Sequence, residues 1–407
     1  MASKSSLRHE SFLDYDIIIM GGGMAGLTQA LLLAPLNKRI AVIDQAPPAV
    51  QLTPEFDGRT VAISNGSGAI LDRAGVWQDL KPLGCPITDI QIMENGSACL
   101  LEFLSQDVGD EPFGWIFENR HVRQHLFQAL ERSQLIDLLA PAKPQTLEQG
   151  DENAQLTLRD GRILRAPLLI GADGRGSWVR DMCGISTHGW PYNQHAIVVS
   201  VRHEQPHNNI AIEDFRNEGP FAVLPMRDDP DTGAHRSAVV WTEHGSPRRS
   251  ILKRSEDEFI SQLNDLFPDF YGEVELLGRP AIYPLGLTHA ERYVSRRVAL
   301  IADAAHGIHP IAGQGLNIGL RDTAVMADLL QKYGVRDPGE AELLQEYERA
   351  RRIDNMAMVA ATDSLNKLFS NNFAPVRLAR RLGLRAVQRL PFAKKFFMTQ
   401  AMGKQAV

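Results

Sequence analysis

Two rhythms of apolar residues run through this chain. The first is a set of short unbroken runs, Ile17-Ile18-Ile19-Met20, residues 39–43, Leu168-Leu169-Ile170 and Val298-Ala299-Leu300-Ile301. Runs of this kind predict strands buried on both faces of a parallel sheet. The second is alternation between about Ile185 and Tyr283, in stretches such as Ala196-Ile197-Val198-Val199-Ser200-Val201 and Ser237-Ala238-Val239-Val240-Trp241, which predicts a second sheet. Apolar helices are expected from Met24 to Leu33, closed by Pro35, and from Asn317 to about Leu330. Asp160-Gly161 joins Leu156-Thr157-Leu158 to Ile163-Leu164 as a hairpin turn. The chain therefore reads as α/β, with a loose polar leader over 1–13, a discontinuous Rossmann-like unit over 14–184 with 285–335, a β-sheet unit over 185–284 and a helical C-terminal region over 336–407.

The first buried run ends in Gly21-Gly22-Gly23-Met24-Ala25-Gly26, a G-x-G-x-x-G set between a predicted strand and a predicted helix. Gly21 allows the tight turn, Gly23 lets the backbone approach a pyrophosphate, and Gly26 lets helix and strand pack closely. The helix start at Met24 and Ala25 offers free N–H groups. The next strand ends in Asp44, 18 residues beyond Gly26, where a carboxylate accepts hydrogen bonds from both ribose hydroxyls. The pattern predicts a dinucleotide whose ribose lacks a 2′-phosphate. A flexible loop is the alternative for a lone glycine motif, and the flanking strands, helix and acid argue against it.

The chain comes back to this unit twice. Leu168-Leu169-Ile170 leads into Gly171-Ala172-Asp173-Gly174-Arg175-Gly176-Ser177, and the run from Val298 leads into Asp303-Ala304-Ala305-His306 and Pro310-Ile311-Ala312-Gly313-Gln314-Gly315-Leu316-Asn317. These three blocks, in this order, resemble the class A FAD-dependent monooxygenases. The stretch from His309 to Asp322 resembles the ubiquinone-biosynthesis hydroxylase family, and His309-Pro310 is similar to its 2-polyprenyl-6-methoxyphenol hydroxylase branch. Asp57-Gly58-Arg59, Glu118-Asn119-Arg120, Gly219-Pro220-Phe221-Ala222-Val223-Leu224-Pro225 and Tyr347 with Arg351 extend the resemblance over most of the chain. One departure is Ala302, where the family usually has Gly before the aspartate; its added methyl would slightly displace Asp303.

The resemblance implies a Rossmann-like FAD-binding domain, a β-sheet substrate domain and a helical C-terminal region. It implies that one atom of O2 enters a polyprenylated phenol through a flavin C4a-hydroperoxide. No second glycine-rich nicotinamide domain is visible, so the external electron donor, NAD(P)H or a redox protein, stays open. By the same resemblance Asp303 binds the ribityl chain, Arg59 lies over the pyrophosphate, Asn119 and Arg123 fix the cofactor from a neighbouring helix, and Asp173 lies near it. The planar fork of arginine suits a diphosphate, although Arg59 and Arg123 also read as solvated cations and Asp173 as part of an Asp-Gly turn. Gly313, Gly315, Leu316 and Asn317 would present a helix N-terminus to the charge on a reduced flavin; a tight loop before an amphipathic helix is the alternative. His306 and His309 are the candidates for handling a phenol proton near neutral pH, with Pro310 beside them in the same candidate catalytic set, against a packing or cofactor-orienting role for each histidine. Phe221, Val223, Leu224 and Pro225 are the candidates to line a substrate roof, against plain core packing. His306-x-x-His309 has no accompanying ligand cluster, so no metal is expected.

Composition narrows the partners. Lys and Arg total 43 against 49 Asp and Glu, and a net charge of -6 does not suit a general nucleic-acid binder. Cys85, Cys99 and Cys183 lie far apart without a CxxC, which fits a reducing cytoplasm better than a disulfide framework or a zinc site. Residues 1–13 lack the apolar core of a secretory signal, and no apolar run of about 18 residues is present. After Asp363 the last 44 residues hold nine basic residues and no acid, interleaved with Leu384, Phe392, Phe396 and Phe397. That composition fits a basic amphipathic segment on an anionic inner-membrane surface, and equally a helical region packed on the acidic body or on subunits of a biosynthetic complex. Two other functions stay open: another FAD oxidoreductase, such as a prenyl reductase or a hydroxylase of a soluble aromatic acid, and a non-catalytic FAD-binding scaffold.

Overall fold

The computed structural model describes residues 12–53, 56–307, 313–333, 337–369 and 374–403. Its six-stranded sheet runs in the order Val294–Ser295, Val298–Leu300, Leu168–Gly171, Ile17–Met20, Ile40–Ile43 and Ile136–Leu139, parallel except for the first pair. Ile17, Ile18 and Ile19 are completely buried, as an unbroken β-branched run in a covered parallel strand should be. The helices Met24–Leu33, Asn119–Glu131 and Gln314–Lys332 share one hydrophobic core with these strands and with a four-stranded sheet. That smaller sheet holds the hairpin of Ala154–Leu158 and Ile163–Ala166. Its edge strand, Phe12–Asp14, pairs with Ile163–Ala166, so ordered pairing begins inside the segment read as a leader.

The second large sheet has eight strands, in the order His306–Gly307, Val274–Ala290, Thr187–His203, His235–His244, Gly219–Met226, Ile210–Arg216, Asp89–Glu94 and Leu101–Leu104. It reaches beyond 185–284, because two strands come from the first third of the chain and one from the third motif block. Strand alternation shows that a sheet has two faces but not which distant strand completes its edge. The outer face, including Ile197, Val199, Ile212, Phe221, Val223 and Trp241, packs against Phe259 and Leu263 of the helix Glu256–Leu266. A capping box between Ser255 and Glu258 starts that helix.

The inner face of the wide sheet meets the dinucleotide-type unit. Leu224, Met226 and Ala238 cluster with Ala62 and Ile116, Ser200 Oγ donates to the Gly58 carbonyl at 3.3 Å, and Arg236 pairs with Glu118 at 3.2 Å. The C-terminal helices Ala374–Arg389 and Pro391–Ala401 close one end of this face. Met398 and Met402 enter the cluster beside Phe103 and Phe113, Arg380 forms a buried ion pair with Glu94, and Lys394 bonds Asp107 at 2.8 Å. Lys404 lies outside the described residues, as do the side chains of Lys367, Arg377 and Arg381. Among the described residues no helix is long and apolar enough to cross a membrane.

Candidate functional site

The first glycine loop separates what the fold needs from what it does not. Gly21 has φ +114°, and a Cβ built on it would lie 2.3 Å from the Ala172 carbonyl oxygen; one on Gly26 would lie 1.9 Å from the Gly21 oxygen. These two glycines let the loop, the helix Met24–Leu33 and the second motif block touch backbone to backbone. Gly23 differs: its φ of -75° suits any residue, and a Cβ there would meet nothing within 4 Å. A position with ordinary dihedrals and open space around it has no packing reason to be glycine. Met24 and Ala25 follow it as the first helical residues, where N–H groups lack partners inside the helix. Asp44 closes the loop, accepting from Gly22 N and Ala46 N, both at 2.7 Å, and its carboxylate keeps lone pairs for further donors.

Three charged groups sit beside the loop from Asp57 to Thr60. Arg59 makes a forked contact with Asp57 at 2.8 and 2.5 Å, which, with Tyr283 as a further partner, raises its pKa. Burial and the Arg59 charge push the Arg123 guanidinium downward, so two cations share one carboxylate. Asn119 begins the helix that carries Arg123, and its Oδ1 is buried with no hydrogen-bond partner among the described residues. At the other side, Gly313 caps the helix Gln314–Lys332 with a left-handed φ of 62° and packs toward Ala62. A Cβ on Gly315 would meet nothing within 4 Å. Asn317 is buried, accepting from Ser64 N at 2.9 Å and donating to the carbonyls of Ala62 and Gly313 at 3.0 and 3.1 Å. Its side chain fastens the helix start to the strand Thr60–Ser64.

The third block hangs on Asp322. This fully buried carboxylate accepts from Ala302 N at 2.9 Å, His306 Nε2 at 2.5 Å and Arg351 Nε at 2.7 Å. Burial alone would raise its pKa, but the charges and hydrogen bonds of His306 and Arg351 hold it well below the usual carboxylate range. Arg351 continues to Asp354 and Asn355, both at 2.8 Å. Ala302 adopts φ 52°, the left-handed region in which a methyl clashes with backbone, and the Asp322 bond holds it there. Asp303, next in sequence, stays partly exposed, with one oxygen 3.5 Å from Arg175. Asp173 is engaged locally: burial raises its pKa, opposed by donors that include Ser177 Oγ at 2.5 Å and Val179 N at 3.0 Å. Ser177 is the N-cap of the short helix Trp178–Met182, and Asp173 holds that cap through its hydroxyl.

Strand alternation re-sorts the candidate roof. Phe221 and Val223 point to the outer core under Glu256–Leu266, and Pro225 shares their parity, so these three turn away from the dinucleotide unit. Leu224 alone of the four faces inward. Its inward neighbours are Ala222, Val240, Val198 and Ala281, which form one rung across four strands; Tyr283 lies on the next rung with Ala196 and Thr242. Leu224, Val198, Val240 and Ala281 remain partly accessible and Tyr283 is exposed, which leaves an apolar wall that a ligand can touch. His306 is 2% exposed and bound to Asp322, so its ring is enclosed by protein and cannot meet a substrate directly. His309 and Pro310 lie outside the described residues.

The matching family model is described as an FAD binding domain and covers residues 14–362. The chain is 43% identical over 391 residues to the ubiquinone hydroxylase UbiL of Rhodospirillum rubrum, covering 95% of this chain and 89% of that one. It is 34% identical to the 3-demethoxyubiquinol 3-hydroxylase of Escherichia coli, across 95% and 98% of the two chains. It belongs to the FAD-dependent monooxygenases of ubiquinone biosynthesis. The p-nitrophenol 4-monooxygenase PnpA of Pseudomonas putida, at 19% identity, shares the fold alone, with a TM-score of 0.82 over 98% of this chain and all of that one.

The residues of this monooxygenase fit FAD. The open approaches at Gly23 and Gly315, the under-neutralised Arg59 and Arg123, and the unpartnered Asn119 Oδ1 have no counterpart among the described residues. A dinucleotide would give each of them one. Asp57, Tyr283 and the Asp322 network escape a sequence reading, because their roles appear only once distant elements meet. Ala302 gives the monooxygenase a measurable strain. Ala302→Gly should raise stability by up to about 1.5 kcal/mol, the roughly 1–2 kcal/mol left-handed cost less the roughly 0.5–1 kcal/mol backbone entropy of glycine. Urea unfolding of the FAD-loaded protein checks it, and a lower midpoint contradicts the strain.

Proposed function

We propose that this flavoprotein inserts one oxygen atom from O2 into the ring of a polyprenylated phenol. The observation that carries the reading is the accessible apolar wall of Leu224, Val198, Val240 and Tyr283, set against a dinucleotide cradle in a chain 43% identical to a ubiquinone hydroxylase. Gly21, Gly23, Met24, Ala25, Gly26 and Asp44 would hold the adenosine and pyrophosphate end. Arg59 and Arg123 would neutralise the phosphates, with Asn119 beside them, and Asp303 would take a ribityl hydroxyl. Bound FAD supplies the electrons and the activation of O2. The start of Gln314–Lys332 then faces developing negative charge with the positive end of the helix. His306 acts by positioning, because it and Asp322 set the path of the backbone that carries Asp303. The wall excludes water and accepts an apolar ring and tail.

A long prenyl tail resides in a lipid bilayer, and the last helix suits that surface. Leu390, Phe392, Phe396 and Phe397 are 56%, 87%, 54% and 47% exposed, and Arg385, Arg389 and Lys395 are exposed beside them. Arg380 and Lys394 are committed to Glu94 and Asp107, so the attraction rests on the remaining cations. The test is turnover by the FAD-loaded protein with a reductant, following O2 uptake and the mass of the product. A prenylphenol should gain one oxygen atom; flavin oxidation with no oxygenated product would leave a reductase or a scaffold. With a long-chain substrate in anionic vesicles, turnover should fall as salt rises, while a short-chain phenol in solution should not respond.

A further inference from the structure

A carboxylate stands on the wall just described, and neither the cofactor cradle nor the buried ionic networks use it. Glu213 lies in the strand Ile210–Arg216, opposite Ala222 on one side and Ile92 on the other. Directly opposite residues project to the same face, so Glu213 extends the rung of Ala222, Val240, Val198 and Ala281 across the inner face. The flanking positions confirm the parity: Ala211 joins the inner cluster, and Ile212 joins the outer one.

The near neighbours of Glu213 on this face, Ala222, Ile92 and Ala211, are apolar. The Glu213 side chain is partly accessible, like Leu224, Val198, Val240 and Ala281 of the wall. No side-chain hydrogen bond or ion pair engages it among the described residues. Among the described residues, the charges beside Glu213 are taken: Glu94, one rung away on Asp89–Glu94, is paired with Arg380 of Ala374–Arg389, and Arg236 of His235–His244 is paired with Glu118, while Arg59, Asp57 and Arg123 lie at the Tyr283 end of the wall. The strand Gly219–Met226 carries no titratable side chain. Asp214 points to the outer face, where Arg216 meets it at 2.7 Å. Burial, reinforced by the Asp214 charge, pushes the Glu213 carboxyl up to about 7. A lone carboxylate on an apolar wall costs free energy unless a donor arrives to meet it.

We propose that Glu213 is the group that receives the substrate's phenolic hydroxyl, accepting its hydrogen bond and then its proton. This rests on the phenol reading above and names the contact that orients the ring. In the transfer, the phenolic O–H bond breaks, its electron pair stays on the phenol oxygen, and the proton forms a new O–H bond on the Glu213 carboxylate. The ring left behind is more electron-rich and so more reactive towards an electrophilic oxygen. An acceptor that titrates close to neutral pH is matched to this work.

The test compares a short-chain prenylphenol with its methyl ether, which has the same shape and no O–H to donate. Binding to the FAD-loaded protein is followed by flavin absorbance from pH 5.5 to 9, for the parent and for Glu213→Gln. In the parent, phenol affinity should rise through about pH 7 as Glu213 ionises, while the ether shows no such step. Glu213→Gln should weaken phenol binding by about tenfold to a hundredfold, the range for a hydrogen bond to a charged group. It should also abolish the pH step, leaving FAD content and ether binding unchanged. Equal phenol binding by parent and variant, or parallel loss of phenol and ether, overturns the role of Glu213 and leaves the hydroxylase reading standing. A parent that binds neither compound overturns that reading, and this role with it.

Discussion

Replacing Asp322 by Ala should cost about 3–5 kcal/mol of stability, the usual penalty for stripping the partner from a buried charge. Arg351 is 1% exposed and would lose its main counter-ion. His306 would lose its Nε2 acceptor, and the left-handed Ala302 would lose the bond that holds it. Asp322→Asn should be milder, because an amide oxygen still accepts from Arg351 but carries no charge. Urea unfolding at pH 7 measures both, and a loss below about 1 kcal/mol in the alanine variant would mean that the network is ornamental. The sign of the pH dependence follows from the depressed pKa. The contribution is complete above the unfolded carboxyl value of about 3.9 and is lost as pH falls towards the folded one. The parent should therefore lose stability below about pH 4 more steeply than the Asn variant.

The second large effect separates two glycines three residues apart. Gly23→Ala should leave the apoprotein's melting temperature unchanged, since the new methyl meets nothing within 4 Å. It should weaken FAD binding by about tenfold to a hundredfold, the equivalent of the 1–3 kcal/mol typical of overpacking. Gly26→Ala should damage both fold and binding, because its methyl would lie 1.9 Å from the Gly21 carbonyl oxygen. Flavin titration together with thermal unfolding of the apoprotein reads the two effects apart. Full FAD affinity in the Gly23 variant would move the pyrophosphate away from this loop.

The parts legible in advance are those whose physics is local. Ile17 to Met20 are apolar because both faces of their strand are covered, and the glycine loop follows them at once, so strand, turn and helix are all written within a few residues. The roof was harder. Phe221, Val223, Leu224 and Pro225 are all apolar in a strand buried on both sides, so alternation offers no polar face to mark the outside. Only the arrival of the helix Glu256–Leu266 decides that Phe221 and Val223 belong to the outer core. His306 invites a chemical role by its residue type, whereas its burial against Asp322 depends on a helix that starts eight residues later. Glu213 gives no signal in the sequence, since one acid in a strand reads as a solvated position until the strands on either side are known.

The contact between Ala302 and Gly319 makes the history of this site depend on order. A Cβ built on Gly319 would lie 2.6 Å from the Ala302 Cβ, so the space between the third motif block and the helix Gln314–Lys332 holds one methyl and not two. A lineage that carries Ala302 cannot move to alanine at 319 in a single viable step. Glycine at 302 has to come first, and only then is the second change open. Each position thus sets which neighbouring sequences the other can reach, and a chain with its methyl at 302 is shut off from substitutions at 319 that glycine at 302 would make less crowded.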